Sequence, residues 1–130
     1  MTIAFNITNG KYLARYRDKL SRALLDRFDL VVTVPRPRAA ELQAGPGEDS
    51  AAVRGRVVGA RERLRFPSHR TADADELLTR AVERLPLSGR GRARVARVAQ
   101  TIAALAESEH VLPEHLAEAL SYRRPAELAA

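Results

Sequence analysis

Two arginines stand at positions where a guanidinium group could act on phosphate. Arg27 lies in the segment LLDRFDL, directly before a short apolar run, so a loop would hold it at the edge of a domain. Arg90 follows Ser88, a good N-cap residue, and so lies in the first turn of a predicted helix. Because a helix N-terminus already favours anions, the helix and the arginine together could hold a phosphate. Alternatively, Arg27 pairs with Asp26 or Asp29, and Arg90 is only solvated.

The sequence contains no complete set of catalytic residues. A phosphate loop of the form GxxxxGKS or GxxxxGKT is absent, because Gly10-Lys11 is followed by Tyr12 and Phe5 stands in place of the first glycine. No apolar strand ends in paired acids that could hold Mg²⁺, and the segment SGRGRAR lacks the preceding strand and the third glycine of a dinucleotide-binding motif. The chain alone is therefore predicted not to be a catalyst.

Thiolate chemistry is excluded and a metal site is not expected. The sequence has no cysteine, which rules out disulfides, thiolate zinc sites and cysteine nucleophiles. His110 and His115 are five residues apart, which differs from the i, i+4 spacing of two ligands on one helix face, and no carboxylate frames them. We interpret these residues and His69 as surface or loop histidines and predict no metal ligands.

Composition points to a small, basic, helical protein. The 130 residues carry a net charge of +6, and all but Lys11 and Lys19 of the 22 basic residues are arginine. A basic excess permits a partner that carries phosphate, whether nucleotide, nucleic acid or membrane surface, although codon bias explains the arginine excess equally well. Aromatic residues make up only 5%, so a core must use Ala, Leu and Val, which favours helices. No apolar run reaches the ~18 residues of a membrane span and no signal peptide is visible, so we expect a soluble cytoplasmic chain without a membrane partner.

The first third of the chain differs from the rest. Residues 1–10 alternate apolar and polar side chains up to an Asn-Gly turn signal, which fits either a short strand or an unrelated leader. Residues 11–29 have apolar side chains at spacings of three and four, which suits one helix or two short helical turns. The apolar run at 30–34 has the pattern of a strand buried on both faces. Residues 35–50 are rich in proline and glycine and are interpreted as a linker or hinge.

Four helical segments follow. The first covers residues 50–66, and the second opens with Asp73 and Glu76 in capping-box spacing. The third begins after the N-cap Ser88 and runs to about position 109, and the fourth has Pro113 at its first position. Four amphipathic helices joined by short loops predict a small helical bundle. The apolar stripe of the first helix contains Val53, Val57, Ala60 and Leu64. The predicted core contains Val57, Leu64, Leu78, Val82, Val98, Ile102, Leu105, Leu116 and Leu120.

Three blocks of sequence resemble one family of ATPases. Residues 15–37 read RYRDKLSRALLDRFDLVVTVPRP, which is similar to the stretch of magnesium-chelatase-branch AAA+ ATPases where an LLDRFD block leads into a core strand. Residues 87–123 read LSGRGRARVARVAQTIAALAESEHVLPEHLAEALSYR, which resembles the last half of the C-terminal lid in magnesium-chelatase-like proteins of the ComM/YifB type. Residues 50–64, SAAVRGRVVGARERL, are similar to another segment of that lid. The LLDRFD block and the HLAEALSYR ending are specific as a pair.

The resemblance implies roles for both arginines. Arg27 matches the family's arginine finger, which acts on ATP bound by the neighbouring subunit, and Arg90 matches the sensor-2 residue, which touches the phosphates of its own subunit's ATP. A planar guanidinium suits both roles, because it stabilises charge on the γ-phosphoryl oxygens without proton transfer. The implied cofactors are ATP and Mg²⁺ in the complete motor, with none bound by this chain alone. The implied partners are a nucleotide-binding AAA+ core and the neighbouring subunits of a ring. DNA is a further suggested partner, because the ComM type is associated with DNA processing during transformation.

The resemblance also implies a fold. The expected class is mainly α, with a four-helix AAA+ lid bundle preceded by a short helix–strand remnant of an α/β AAA+ core. The expected organisation is an unassigned leader at 1–10, the core remnant at 11–38, a linker at 39–49, the lid at 50–124 and a tail at 125–130.

The chain departs from the family pattern. The nucleotide-binding half is missing, Leu64 stands where the family has Gln, and AQTIAAL replaces ARTIADL. We therefore expect a C-terminal fragment or a degenerate relative of such an ATPase, contributing two arginines to sites completed by other polypeptide. A different class of function is a free-standing basic bundle that binds nucleic acid through arginines at 54–70 and 90–97. A simple solvated helix face accounts for the same charge run.

Overall fold

The computed structural model describes residues 2–7, 27–66, 68–85 and 87–123. The chain divides into two compact units, one made of Met1–Pro46 with Tyr122–Ala130 and the other of Gly47–Ser121. Each unit is built from segments that the composition favours, since the first holds the β-branched run and the second holds the Ala- and Leu-rich helices.

The first unit contains a pair of parallel strands. Strand β1 (Thr2–Ile7) pairs with strand β2 (Leu30–Pro35), with Thr2 opposite Leu30 and Ile7 opposite Pro35. The first ten residues, for which the sequence left a strand and an unrelated leader open, contain a strand, and the strand predicted at 30–34 is confirmed. Most of the helix predicted at 11–29, with Asp26, lies outside the described residues.

Strand β2 is less buried than its composition suggested. Val31 is buried, Leu30 and Val32 are half-buried, and Val34 is 43% exposed. The prediction of burial on both faces is therefore wrong at Val34. The segment 35–50, which the sequence indicated to be a linker or hinge, contains a short helix, α1 (Ala39–Gln43). All residues of this helix are exposed.

The second unit consists of four helices, which confirms the predicted four-helix bundle. They are α2 (Ser50–Arg63), α3 (Ala72–Arg84), α4 (Gly89–Leu105) and α5 (Pro113–Ser121). Helix α4 contacts the other three, and α3 also contacts α5. Helix α4 is thus the central element of this unit.

The observed N-cap residue agrees with the sequence prediction at the start of α4 but not at the start of α3. Ser88 caps α4, with its Oγ accepting a hydrogen bond from the Gly91 N–H at 3.0 Å, as predicted. The start of α3 was placed wrongly, because its N-cap is Thr71, whose Oγ1 accepts from the Ala74 N–H at 3.3 Å. Asp73 lies inside the first turn instead, where its negative charge favours the helix N-terminus.

Helix α4 ends at Leu105, four residues before the predicted position 109. Glu107 adopts a left-handed backbone conformation with φ of 58°, and the Ser108 N–H donates to the Ala103 carbonyl at 2.9 Å. This is the geometry of a Schellman motif, which satisfies the last carbonyls of the helix.

The core of the second unit is built largely from small residues. Leu78 and Leu116 are fully buried, as predicted, while Val98 and Ile102 are only partly buried and Leu105 is 44% exposed. The buried cluster as a whole contains Ala74, Leu78, Val95, Ala99, Ala103, Val111, Leu116 and Ala119. Alanines on the inner face let helices pack closely, as the composition indicated, although the list of predicted core residues contained only larger side chains.

The predicted stripe of α2 is confirmed at Ala60 and wrong at Val53 and Val57. Val53 is 39% and Val57 37% exposed, and Ala60 is the buried residue of the helix. Arg63, near the C-terminal end of the helix, donates to the Ala104 carbonyl at 3.4 Å and pairs with Glu107 at 2.7 Å. The burial of α2 is thus concentrated near its C-terminal end, at Ala60, and the valines one and two turns earlier are more exposed.

Candidate functional site

Arg90 lies where the sequence predicted, in the first turn of α4. Ser88 satisfies one of the free N–H groups at this helix start through its bond to Gly91, and Gly91 itself is buried. The Arg90 side chain is exposed, and among the described residues it has no ion pair with a carboxylate. The first turn of α4 contains no acidic residue. A helix N-terminus with an exposed guanidinium and no nearby counter-charge is suited to an anion.

Arg27 lies in a turn that leads directly into β2. Its side chain is exposed, whereas the next residue, Phe28, is buried with 8% of its surface exposed. The turn therefore anchors one side chain inward and leaves the arginine at the surface.

The backbone of this turn is held by residues near the other end of the chain. The Arg123 guanidinium donates from Nη1 to the Phe28 carbonyl at 2.7 Å, and the Val31 N–H donates to the Tyr122 carbonyl at 2.9 Å. All four residues belong to the first unit. The sequence analysis did not single out Tyr122 or Arg123, although both lie in the HLAEALSYR block that carries the resemblance.

Arg27 and Arg90 belong to different compact units. Arg27 is part of the first unit and Arg90 of the second. Each is therefore characterised by its own surroundings.

Most arginines of the segment 54–70 have acidic partners. Arg63 pairs with Glu107, Arg65 with Glu62 at 3.0 Å, and Arg70 with Asp75. Arg54 and Arg61 are exposed and have no such partner among the described residues. The arginine run is thus largely neutralised by neighbouring carboxylates.

The pair formed by Arg56 and Glu48 shows the same neutralisation. Arg56 donates from Nη2 to Glu48 Oε2 at 2.8 Å, and both side chains are exposed. This hydrogen bond lowers the pKa of the Glu48 carboxyl and raises the pKa of the Arg56 guanidinium. Exposed ion pairs of this kind contribute little to stability, but they reduce the charge available to a phosphate.

One of the three histidines, His115, does not lie where the sequence predicted. His69 and His110 are exposed, but His115 is buried in the first turn of α5, with 6% of its surface exposed. Its Nδ1 accepts a hydrogen bond from the Leu112 N–H at 3.1 Å, so it acts as the cap of this helix start. The interpretation of His115 as a surface or loop residue was therefore wrong. Within the described ranges, no three His, Asp or Glu side chains are grouped to hold a metal ion.

None of the helices in the described part of the chain has the length and apolar character required to cross a membrane.

Comparison with known proteins identifies a family. Residues 64–123 match the family of the magnesium chelatase subunit ChlI C-terminal domain. This range begins just after α2 and contains α3, α4 and α5, with Arg90 and Arg123 inside it and Arg27 outside.

Proteins of known sequence extend the similarity over most of the chain. The uncharacterized protein YifB of Escherichia coli is 36% identical over 127 residues, which cover 84% of this chain and 25% of YifB. The competence protein ComM of Haemophilus influenzae is 35% identical over 136 residues, covering 91% of this chain and 27% of ComM. The uncharacterized protein Rv2897c of Mycobacterium tuberculosis is 38% identical over 85% of this chain and 26% of that protein. The chain spans about a quarter of the length of these relatives.

Proposed function

Because the chain belongs to the ComM/YifB type of magnesium-chelatase-like proteins and contains their C-terminal helical domain, we propose that it supplies two arginines to ATP sites. In this proposal the four helices form the lid of an AAA+ ATPase, Arg90 contacts the phosphates of ATP bound by the same subunit, and Arg27 acts on ATP bound by a neighbour. The observation that supports it best is the exposed Arg90 at the capped start of α4, within the matched range.

The role of Arg90 follows from its position. The free N–H groups in the first turn of α4 carry partial positive charge, and Arg90 adds a full charge beside them. Its guanidinium can donate two parallel hydrogen bonds to phosphate oxygens. Because this interaction is already made with bound ATP, Arg90 contributes to nucleotide affinity as well as to turnover.

The role of Arg27 differs because the residue is presented from a turn. An arginine that reaches the γ-phosphoryl group from a neighbouring subunit stabilises charge that develops in the transition state. Such a residue raises the rate of hydrolysis and has little effect on the affinity for ATP. The exposed side chain on an anchored turn suits this role.

The remaining parts of the ATP site are expected on other polypeptide. The 130-residue sequence contains no phosphate loop, and the described residues do not fit a magnesium site. The chain alone is therefore expected to bind ATP weakly or not at all, which calorimetric titration with ATP would measure.

Binding to nucleic acid is the second candidate. It is favoured by exposed arginines such as Arg54 and Arg61, which have no carboxylate partner in the described part of the chain, and it is disfavoured by the carboxylate partners of Arg56, Arg63 and Arg65. Tight DNA binding by the isolated chain with a steep dependence on salt concentration would favour this candidate over the lid.

Kinetics of variants in a complete ATPase of this type would test the proposal. We expect Arg27→Ala to abolish turnover with nucleotide affinity largely retained, and Arg90→Ala to weaken both. Lysine at either position should not restore full activity, because an ammonium group lacks the planar fork.

Two exposed arginines serve as matched controls. Arg36 directly follows β2 in the first unit. Arg92 lies two residues after Arg90 in α4 and therefore on another side of that helix. Their alanine variants should behave like the wild type. Near-normal turnover of Arg27→Ala would overturn its assignment as the arginine finger.

A further inference from the structure

Two long-range hydrogen bonds hold the backbone just after Arg27. The first joins the Arg123 guanidinium to the Phe28 carbonyl, and the second joins the Val31 N–H to the Tyr122 carbonyl. Phe28 and Val31 are both buried, while Arg27 is exposed. The backbone on the C-terminal side of Arg27 is thus fixed at two points by residues 122 and 123.

The bond from Arg123 is the one closest to Arg27. At 2.7 Å between Nη1 and the carbonyl oxygen it is short, as expected when the donor carries a full charge. Its acceptor belongs to the residue directly after Arg27, so the bond restrains the point from which the Arg27 side chain extends. The Tyr122 bond is made by backbone atoms and remains when the Arg123 side chain is changed.

We propose that Arg123 is a positioning residue for Arg27, holding the turn so that the Arg27 guanidinium reaches the γ-phosphoryl group. This inference rests on the proposed role of Arg27. A displacement of about 1 Å at a catalytic group costs as much as 100-fold in rate, so a residue that fixes the turn affects turnover without touching ATP.

The first test uses the 130-residue chain and does not depend on ATP hydrolysis. Hydrogen exchange is compared for the wild type and Arg123→Ala, with the amides of residues 28–31 as the probe and those of residues 95–103 in α4 as the internal control. We expect faster exchange at 28–31 and unchanged exchange in α4. Unchanged exchange at 28–31 would show that Arg123 does not hold the turn, and this result would overturn the inference.

The second test uses a complete ATPase of this type. We expect Arg123→Ala to lower kcat about 10- to 100-fold with little change in KM. Arg123→Lys should recover part of the loss, because an ammonium group can still donate one hydrogen bond to the Phe28 carbonyl. If Arg123→Ala does not fold, Arg123→Lys with a reduced kcat and unchanged KM is the supporting result. Wild-type kcat for the lysine variant together with faster exchange at 28–31 overturns the inference, because the turn would then be loosened without any effect on turnover.

A double variant separates this inference from the proposed function. If Arg123 acts through Arg27, adding Arg123→Ala to Arg27→Ala causes no further loss of the slow residual hydrolysis that single-turnover measurements detect. Losses that multiply would overturn the inference while leaving Arg27 as the finger. Normal turnover of Arg27→Ala alone would instead overturn the proposed function, whatever the exchange experiment shows.

Discussion

The turn that carries Arg27 and the helix start that carries Arg90 are stabilised in different ways. Arg90 depends on local structure, because Ser88, two residues earlier, caps the same helix. The Arg27 turn depends on Arg123, whose bond to Phe28 spans 95 residues of sequence. A capped helix start is specified by neighbouring residues, whereas the turn requires the chain to bring distant segments together.

The largest expected effect concerns the core beneath the Arg90 helix. Leu116 is fully buried among residues of α3 and α4, so Leu116→Ala should lower the free energy of unfolding of the helical unit by roughly 2–5 kcal/mol. Ile102, which the sequence also placed in the core, is only partly buried, so Ile102→Ala should give a smaller loss. Thermal melts followed by circular dichroism would measure the loss. Leu42→Ala, at a site that is 71% exposed, is the control, and a Leu116→Ala melt equal to wild type would contradict the core assignment.

The next effect compares the stability of the two regions directly. In the part of the chain that the structure describes, β2 pairs with β1 alone, and Val34 is exposed, whereas Val95 and Ala99 in α4 are fully buried. Amides of residues 30–34 should therefore exchange at least about tenfold faster than those of residues 95–104. Hydrogen exchange followed by mass spectrometry would measure this ratio. Equal protection would mean that the strand region has found another surface to pack against.

A smaller effect is expected at the cap of α4. Ser88→Ala removes the hydrogen bond to Gly91 and should destabilise the helical unit by about 1 kcal/mol. Ser88→Gly is the matched comparison and should cost only a few tenths of a kcal/mol, because glycine is tolerated at N-caps. Denaturant titration of both variants would measure the difference. Identical unfolding free energies for Ser88→Ala and wild type would show that the start of α4 does not depend on its cap.

The smallest effect is expected on α2. Val57 is 37% exposed, so Val57→Ser should change the free energy of unfolding by less than about 0.5 kcal/mol. The same substitution at the fully buried Val95 is the contrasting control and should be strongly destabilising. A large loss for Val57→Ser would restore the predicted stripe as part of the core.

These results separate what sequence patterns can predict from what they cannot. The four helices and the Ser88 cap were predictable, because periodicity and capping are local properties. The exposure of Val53 and Val57 in α2 was not, because an apolar stripe does not reveal how much of its length a neighbouring helix covers. Here Ala60, near the C-terminal end of α2, is the buried residue, and Arg63 beside it donates to the Ala104 carbonyl, 41 residues away in sequence.

The candidate site shows the same division. Arg90 could be placed on a helix start from its neighbours alone, and Arg27 could be placed in a loop before a strand. The side chain that holds the Arg27 turn could not be identified, because a bond between Arg123 and Phe28 leaves no periodic or local signal. The prediction that His115 lies at the surface failed for a similar reason. Its Nδ1 accepts a hydrogen bond from the Leu112 N–H at the start of α5, a position where the acceptor is usually an acidic side chain.

The most direct test of the central claim, that Arg27 acts on ATP held by a neighbouring subunit, is a mixing experiment in a complete ATPase of this type. Subunits carrying Arg27→Ala are combined with subunits whose phosphate loop is disabled, and steady-state ATP hydrolysis is measured for each parent and for the mixture. Our account predicts that the mixture hydrolyses ATP faster than the sum of the two inactive parents, because some interfaces join an intact phosphate loop to an intact Arg27. A mixture with no more activity than its parents would contradict it.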